Sequence, residues 1–100
     1  MPSDRTASTV IVTGGSSGLG AAVVSALAAR GDRPVILDRA EPPGHPADFV
    51  AVDLTHTDEA TTAVASVIEA HGPVDAVVTC AGIDVPGRLD DVAADAWERV

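Results

Sequence analysis

Three glycines, Gly14, Gly18 and Gly20, stand between a β-branched run and an alanine-rich run. Their spacing is Gly-x-x-x-Gly-x-Gly, in the stretch TVIVTGGSSGLGAA (Thr9 to Ala22). A strand that turns through glycines into a helix start is an anion-binding arrangement. The glycines let the backbone turn tightly and approach a ligand, while the helix N-terminus offers free N–H groups and a positive dipole end. Ser16 and Ser17 add hydroxyl donors that could reach phosphate or ribose oxygens. The spacing is neither G-x-G-x-x-G nor the P-loop pattern, which needs Gly-Lys-Ser/Thr. A plain flexible connection is the alternative reading of the turn.

A second chemical position lies 18 residues beyond Gly20, where Asp38 ends VILD. In a dinucleotide fold, an acid at that point accepts hydrogen bonds from the adenosine ribose and repels a 2′-phosphate. This favours NAD over NADP. Arg39 works in the other direction, because an arginine can stack on adenine or bind that phosphate. A simpler role for Asp38 is to cap a turn. Cys80 is the one cysteine, which excludes an internal disulfide and a multi-cysteine metal site. No base accompanies it in the sequence, so a small buried thiol is expected rather than a nucleophile. His45, His56 and His71 fall on a loop, a strand end and a helix end, where solvated or capping roles are expected. Asp90 and Asp91 read as a solvated loop pair. The residues form no metal set.

These positions need elements to hold them. Thr9 to Thr13 reads as a strand and Gly18 to about Arg30 as a helix, with Leu19, Val23 and Leu27 on one face. Strands follow at Pro34–Asp38 and Phe49–Val52. Asp58 to His71 reads as a helix with a stripe of Ala60, Val64, Val67, Ile68 and His71, and Gly72–Pro73 ends it. Val74 to Cys80 is a fourth strand, Ala81 to Asp90 a loop, and a last helix begins near Ala93. The order β-α-β-β-α-β-α implies an α/β, Rossmann-type doubly wound parallel sheet with right-handed crossovers. RAEPPGHPAD, Arg39 to Asp48, holds three prolines and a glycine, so an extended crossover replaces a helix there. Residues 1–8 read as a polar tail and 9–100 as the domain. The helical pattern is still running at Val100, which fits the N-terminal half of a larger fold. The competing reading is a complete small domain with a frayed last helix.

Composition narrows the partners. Of 100 residues, 46% are hydrophobic, almost all Ala, Val, Leu and Ile, as a parallel sheet covered by helices requires. The net charge of −9 opposes binding to nucleic acid or to an anionic membrane surface. The N-terminus lacks an apolar signal core and no run is long enough to span a membrane, so a soluble cytoplasmic protein is expected.

Four segments in register then carry a resemblance. TGGSSGLG (Thr13 to Gly20) resembles the TGxxxGxG motif of the short-chain dehydrogenase/reductase family, in its ordinary rather than extended branch. Asp38 stands where the family has its ribose-binding acid. VDL (Val52 to Leu54) resembles the family's adenine-side Asp segment, and TCAGI (Thr79 to Ile83) its Asn-Asn-Ala-Gly segment. DAWERV (Asp95 to Val100) is similar to the start of the next long helix. The resemblance implies that Gly14, Gly18 and Gly20 shape the turn, with Ser17 and Leu19 against the cofactor near its pyrophosphate. It gives Asp53 and the Leu54 N–H to the adenine, and Cys80, Ala81 and Gly82 to the floor beneath the adenosine. Thr79 and Cys80 depart from the family's two asparagines. The proline-rich crossover departs from its usual helix.

The family's reaction uses Tyr, Lys, Ser and Asn to pass a hydride between substrate and nicotinamide. This chain has no Tyr, no Lys and no Asn, so no catalytic residue is assigned within it. The resemblance therefore implies the cofactor-binding portion of an NAD-dependent alcohol/ketone oxidoreductase. The variant CAG points to a 3-hydroxyacyl-CoA or hydroxysteroid-like substrate, and the family's habit to a homo-oligomer. Two other readings stand beside it: a non-catalytic nucleotide-binding or interaction fragment, and a methyltransferase, which would normally show Gly-x-Gly-x-Gly.

Overall fold

The computed structural model describes residues 7–44 and 47–82. His45, the loop beyond Gly82 with Asp90 and Asp91, and the helix expected from Ala93 lie outside the described residues. The elements are β1 (Thr9–Thr13), α1 (Gly18–Ala29), β2 (Arg33–Asp38), β3 (Asp48–Ala51), α2 (Thr57–His71) and β4 (Ala76–Thr79). All four strands lie in one parallel sheet, in the order β3-β2-β1-β4. The order reverses beside β1, since β2 lies on one flank and β4 on the other.

Side-chain alternation along the strands divides the core in two. Val10, Val12 and Ile36 meet Val24 of α1 on one face. Ile11, Val35 and Leu37 meet Val52 with Ala63 and Val67 of α2 on the other. Strands buried on both faces are why β1 and β2 read as near-continuous apolar runs. β2 and β3 pair in parallel with no helix among the described residues between them, so the prolines of the crossover act as expected.

Both helices bury only part of the faces the sequence pattern gave: Val23 and Leu27 pack against the core from α1, and Val67 is buried on α2. Leu19 is 75% exposed, while Gly20 and Val24 are buried and Val23 and Leu27 only half-buried. Gly20 packs against the end of β1, while Leu19 beside it points away from the core. On α2 the sheet-facing line is Ala63 and Val67. Val64 and Ile68 lie one position around the helix and stay 36% and 47% exposed. β4 forms within the expected segment. It lies at the edge of the described sheet, and Val77 is 57% exposed.

Two acids, the exposed Asp75 and the buried Asp32, fasten the end of the sheet opposite the glycine turn. Asp75 accepts a hydrogen bond from the Thr9 N–H at 2.8 Å and returns its own N–H to the Thr9 carbonyl at 2.9 Å. Asp32 accepts from the Ser8 N–H at 3.2 Å and pairs with Arg30 at 2.9 Å.

Candidate functional site

The C-terminal ends of the strands and the first turn of α1 enclose a cleft of about 490 Å³. Its position follows from topology. It lies at the C-terminal ends of the strands where the strand order reverses, the usual place of a binding crevice in such sheets. Gly14, Ser17, Gly18, Leu19 and Gly20 line one side, Asp38 and Arg39 the β2 end, Asp53 and Leu54 the segment after β3, and Cys80, Ala81 and Gly82 the floor. Twelve of the thirteen residues singled out in the sequence thus come together.

The glycine turn is built by close approach. Gly14 has φ +69°, and a Cβ there would lie 2.7 Å from the Ala81 N. A Cβ at Gly20 would lie 2.0 Å from the Gly14 carbonyl oxygen. The helix therefore starts directly against the end of β1. Its N-cap, Ser17, makes no side-chain cap hydrogen bond. The Ser17 side chain leaves the first-turn N–H groups uncapped, and Gly18, Leu19 and Gly20 line the cleft. A Cβ at Gly18 would meet nothing within 4 Å, so that side of the turn is open.

Thr13 holds the floor in place. Its Oγ1 accepts from the Cys80 N–H at 3.1 Å and the Ala81 N–H at 3.3 Å, beside the ladder bond from Cys80 N–H to the Thr13 carbonyl. These are backbone donors, of Cys80 and Ala81, so they do not depend on which side chains replace the family's asparagines at Thr79 and Cys80. Cys80 is free and half-buried rather than buried, because β4 is an edge of the described sheet.

Ser16 is the exception to the gathering. It does not line the cleft. Its hydroxyl donates to the Ala40 carbonyl at 2.5 Å, and its N–H donates to Asp38 Oδ2 at 3.1 Å. The other Asp38 oxygen accepts the Arg39 N–H at 2.7 Å.

Asp53 stands on the opposite wall in an Asx-type turn. Its Oδ1 accepts from the Thr55 hydroxyl at 2.6 Å and the Thr55 N–H at 3.0 Å. Those two bonds, hydroxyl first, hold the Asp53 carboxyl below its usual range. His56 is the N-cap of α2, and its Nδ1 contacts Glu59 in the first turn and lies 4.0 Å from Asp53 Oδ2. The Glu59 hydrogen bond, then the charge of Asp53, raises the His56 pKa. The capping role expected of this histidine runs through Glu59, not through a backbone N–H. His71 instead pairs with Asp48 at 3.5 Å, far along α2.

Leu37, Val52 and Thr55 also line the cleft, and sequence reasoning passed over them. Leu37 and Val52 read as ordinary core residues. The signal for Thr55 was available: a threonine two residues after an Asp is the pattern of an Asx turn. No group of three or more metal-ligating side chains occurs among the described residues. No helix there is long and apolar enough to cross a membrane.

The sequence model of short chain dehydrogenases matches residues 8–100. The chain belongs to the short-chain dehydrogenase/reductase family. It is 33% identical over 115 residues to trans-4-hydroxycyclohexanecarboxylate dehydrogenase of Sinomonas cyclohexanicum, covering 97% of this chain and 44% of that protein. Its fold superposes on ligand-free aldohexose dehydrogenase of Thermoplasma acidophilum with a TM-score of 0.82 and 26% identity, over 93% of this chain and 36% of that one. An actinorhodin polyketide ketoreductase solved with NADPH matches with a TM-score of 0.76 and 29% identity, over 91% and 39%. The chain thus spans less than half the length of these family members. The family comprises oxidoreductases that use nicotinamide cofactors.

Proposed function

We propose that the cleft holds the adenosine and pyrophosphate portions of NAD, and that the whole protein is an NAD-dependent oxidoreductase interconverting an alcohol and a ketone. One observation carries this reading: an uncapped helix N-terminus lines the same cleft as two carboxylates, one ending β2 and one following β3. The first-turn N–H groups of α1, with Ser17 and Leu19 beside them, suit the pyrophosphate. Asp38 suits the ribose diol. The Asp53 Oδ2, which Thr55 leaves free, suits the adenine amine, with the Leu54 N–H next to the ring. Gly82, Ala81 and Cys80 give a floor made mostly of backbone. When bound, the cofactor supplies the hydride acceptor or donor. The chain's own residues bind and orient it, and no Tyr or Lys here can move the accompanying proton.

The NADPH-bound relative marks the competing cofactor, and Arg39 on the rim is the cation that a 2′-phosphate would use. Asp38 outweighs it, because its carboxylate is anchored by two backbone N–H groups and cannot swing aside. Relatives named for a hydroxy acid and an aldohexose support an alcohol substrate, and a 3-hydroxyacyl-CoA or hydroxysteroid fits the same class. The family resemblance supports a soluble, homo-oligomeric whole protein. The absence of Tyr, Lys and Asn favours one other reading, a nucleotide-binding fragment without catalysis.

The test is cofactor preference. In the full-length protein, Asp38→Ala should raise the efficiency with NADP relative to NAD by roughly tenfold or more. An unchanged ratio would remove Asp38 from the ribose role.

A further inference from the structure

We infer that Asp38 and Ser16 form a latch that holds the glycine turn in its anion-binding shape, so that the acid at the end of β2 is a positioning residue for the pyrophosphate site as well as a ribose acceptor. The inference rests on the reading of the cleft as a dinucleotide site, and it adds a coupling between its two halves.

Three hydrogen bonds join the turn to the end of β2. The Gly14 N–H to the Leu37 carbonyl, at 2.9 Å, merely extends the β1–β2 ladder. The other two depend on side chains: Ser16 N–H to Asp38 Oδ2 at 3.1 Å and Ser16 Oγ–H to the Ala40 carbonyl at 2.5 Å. Ser16 sits at the middle of the turn, two residues before α1 begins. It is half-buried, so its N–H loses water when the turn packs and needs an acceptor. No backbone carbonyl takes that place; the Asp38 carboxylate does. A hydrogen bond to a charged acceptor is worth more than a neutral one.

The glycines around Ser16 make the latch necessary. A turn containing Gly14, Gly15 and Gly18 has little conformational preference of its own. Something outside it must select the one geometry that aims the first-turn N–H groups at the cleft. Asp38 does so while retaining capacity, since each carboxylate oxygen takes one N–H and keeps a second lone pair for a ribose hydroxyl.

The two roles separate with a ligand that has no diol. Binding of ADP and of 2′,3′-dideoxy-ADP to the chain is measured by calorimetry, with folding of each variant checked by circular dichroism. If Asp38 served only the ribose, Asp38→Ala would weaken ADP and leave dideoxy-ADP at the wild-type affinity. That result overturns the latch. The latch requires Asp38→Ala to weaken dideoxy-ADP by roughly tenfold as well. Asp38→Asn, which keeps an oxygen acceptor, should restore most of that loss, and Ser16→Ala should weaken both ligands by a similar smaller factor. Ser16→Ala stands in if Asp38→Ala does not fold, and wild-type affinity of that variant for dideoxy-ADP overturns the latch. Absence of ADP binding by the wild-type chain would overturn the dinucleotide reading instead. The latch is then read without ligand: Ser16 amide hydrogen exchange should speed up roughly tenfold in Asp38→Ala and stay near wild type in Asp38→Asn. Unchanged exchange in Asp38→Ala overturns it.

Discussion

Gly20 sits where the helix meets the end of β1, and its missing side chain is the condition for that contact. A methyl group there would overlap the Gly14 carbonyl oxygen at 2.0 Å. The obstacle is backbone, so relief requires the turn to open. Gly20→Ala should destabilise the chain by about 1–3 kcal/mol in urea unfolding, despite the better helix propensity of alanine. The same variant should bind nucleotide more weakly than wild type. At the other wall, His56 places a partial cation against the positive end of the α2 dipole, and Glu59 and Asp53 offset that cost. Its folded-state pKa is raised, so its stabilising contribution is complete below the ordinary histidine value. That contribution is lost as pH rises through the higher folded value. Proton NMR titration should place His56 above free histidine, and Glu59→Gln should bring it down. Asp53 behaves in the opposite sense: its depressed pKa gives stability above the usual carboxylate range that disappears as acid protonates it. Much of the site was legible at this scale. The glycine spacing, Asp38, Asp53 and Cys80-Ala81-Gly82 meet in one cleft. Ser16 was not legible, because sequence shows that a hydroxyl is present but not which carbonyl lies opposite it.

The elements were legible to within a residue or two, because their ends carry chemical punctuation. Glycine opens α1 and closes α2, and an acid ends β2. Helix faces were less legible. An alanine-rich helix offers weak contrast between its sides, so Leu19 stood out as a core residue although it points away from the core. On α2, Ala63 is small enough to sit against the sheet, and the larger Val64 and Ile68 fall to its flank. This yields a direct comparison. Val67→Ala removes fully buried methyl groups and should cost about 1–3 kcal/mol, whereas Ile68→Ser should change stability by less than about 1 kcal/mol. Parallel urea melts of the two variants test the assignment. Equal losses would place Ile68 in a packed interface. The Cys80 thiol was expected to be buried, but burial depends on neighbours rather than composition, and at the edge of the described sheet β4 has only one.

At the scale of the molecule, binding and chemistry separate. The described residues provide a cleft with anion donors and two acids, and the chain carries no Tyr, Lys or Asn to move a proton. The 100-residue chain should therefore bind ADP in calorimetry yet reduce no NAD when mixed with alcohols. Turnover above a buffer blank would show a catalytic group of another kind. The overall α/β reading succeeded because the β-α-β rhythm and right-handed crossovers admit few arrangements. Strand order adds something that composition does not contain. β1 pairs β2 across the short α1 crossover, Thr9 opposite Arg33, but the Thr13 hydroxyl reaches Cys80 across 67 positions. Loop-closure entropy favours the nearer pairing first and leaves the distant one for later. The cleft's floor thus belongs to the last join in assembly, while its glycine turn belongs to the first. A nucleotide that touches both would act on the folding chain as a clasp, drawing its hold from the union of an early half and a late one.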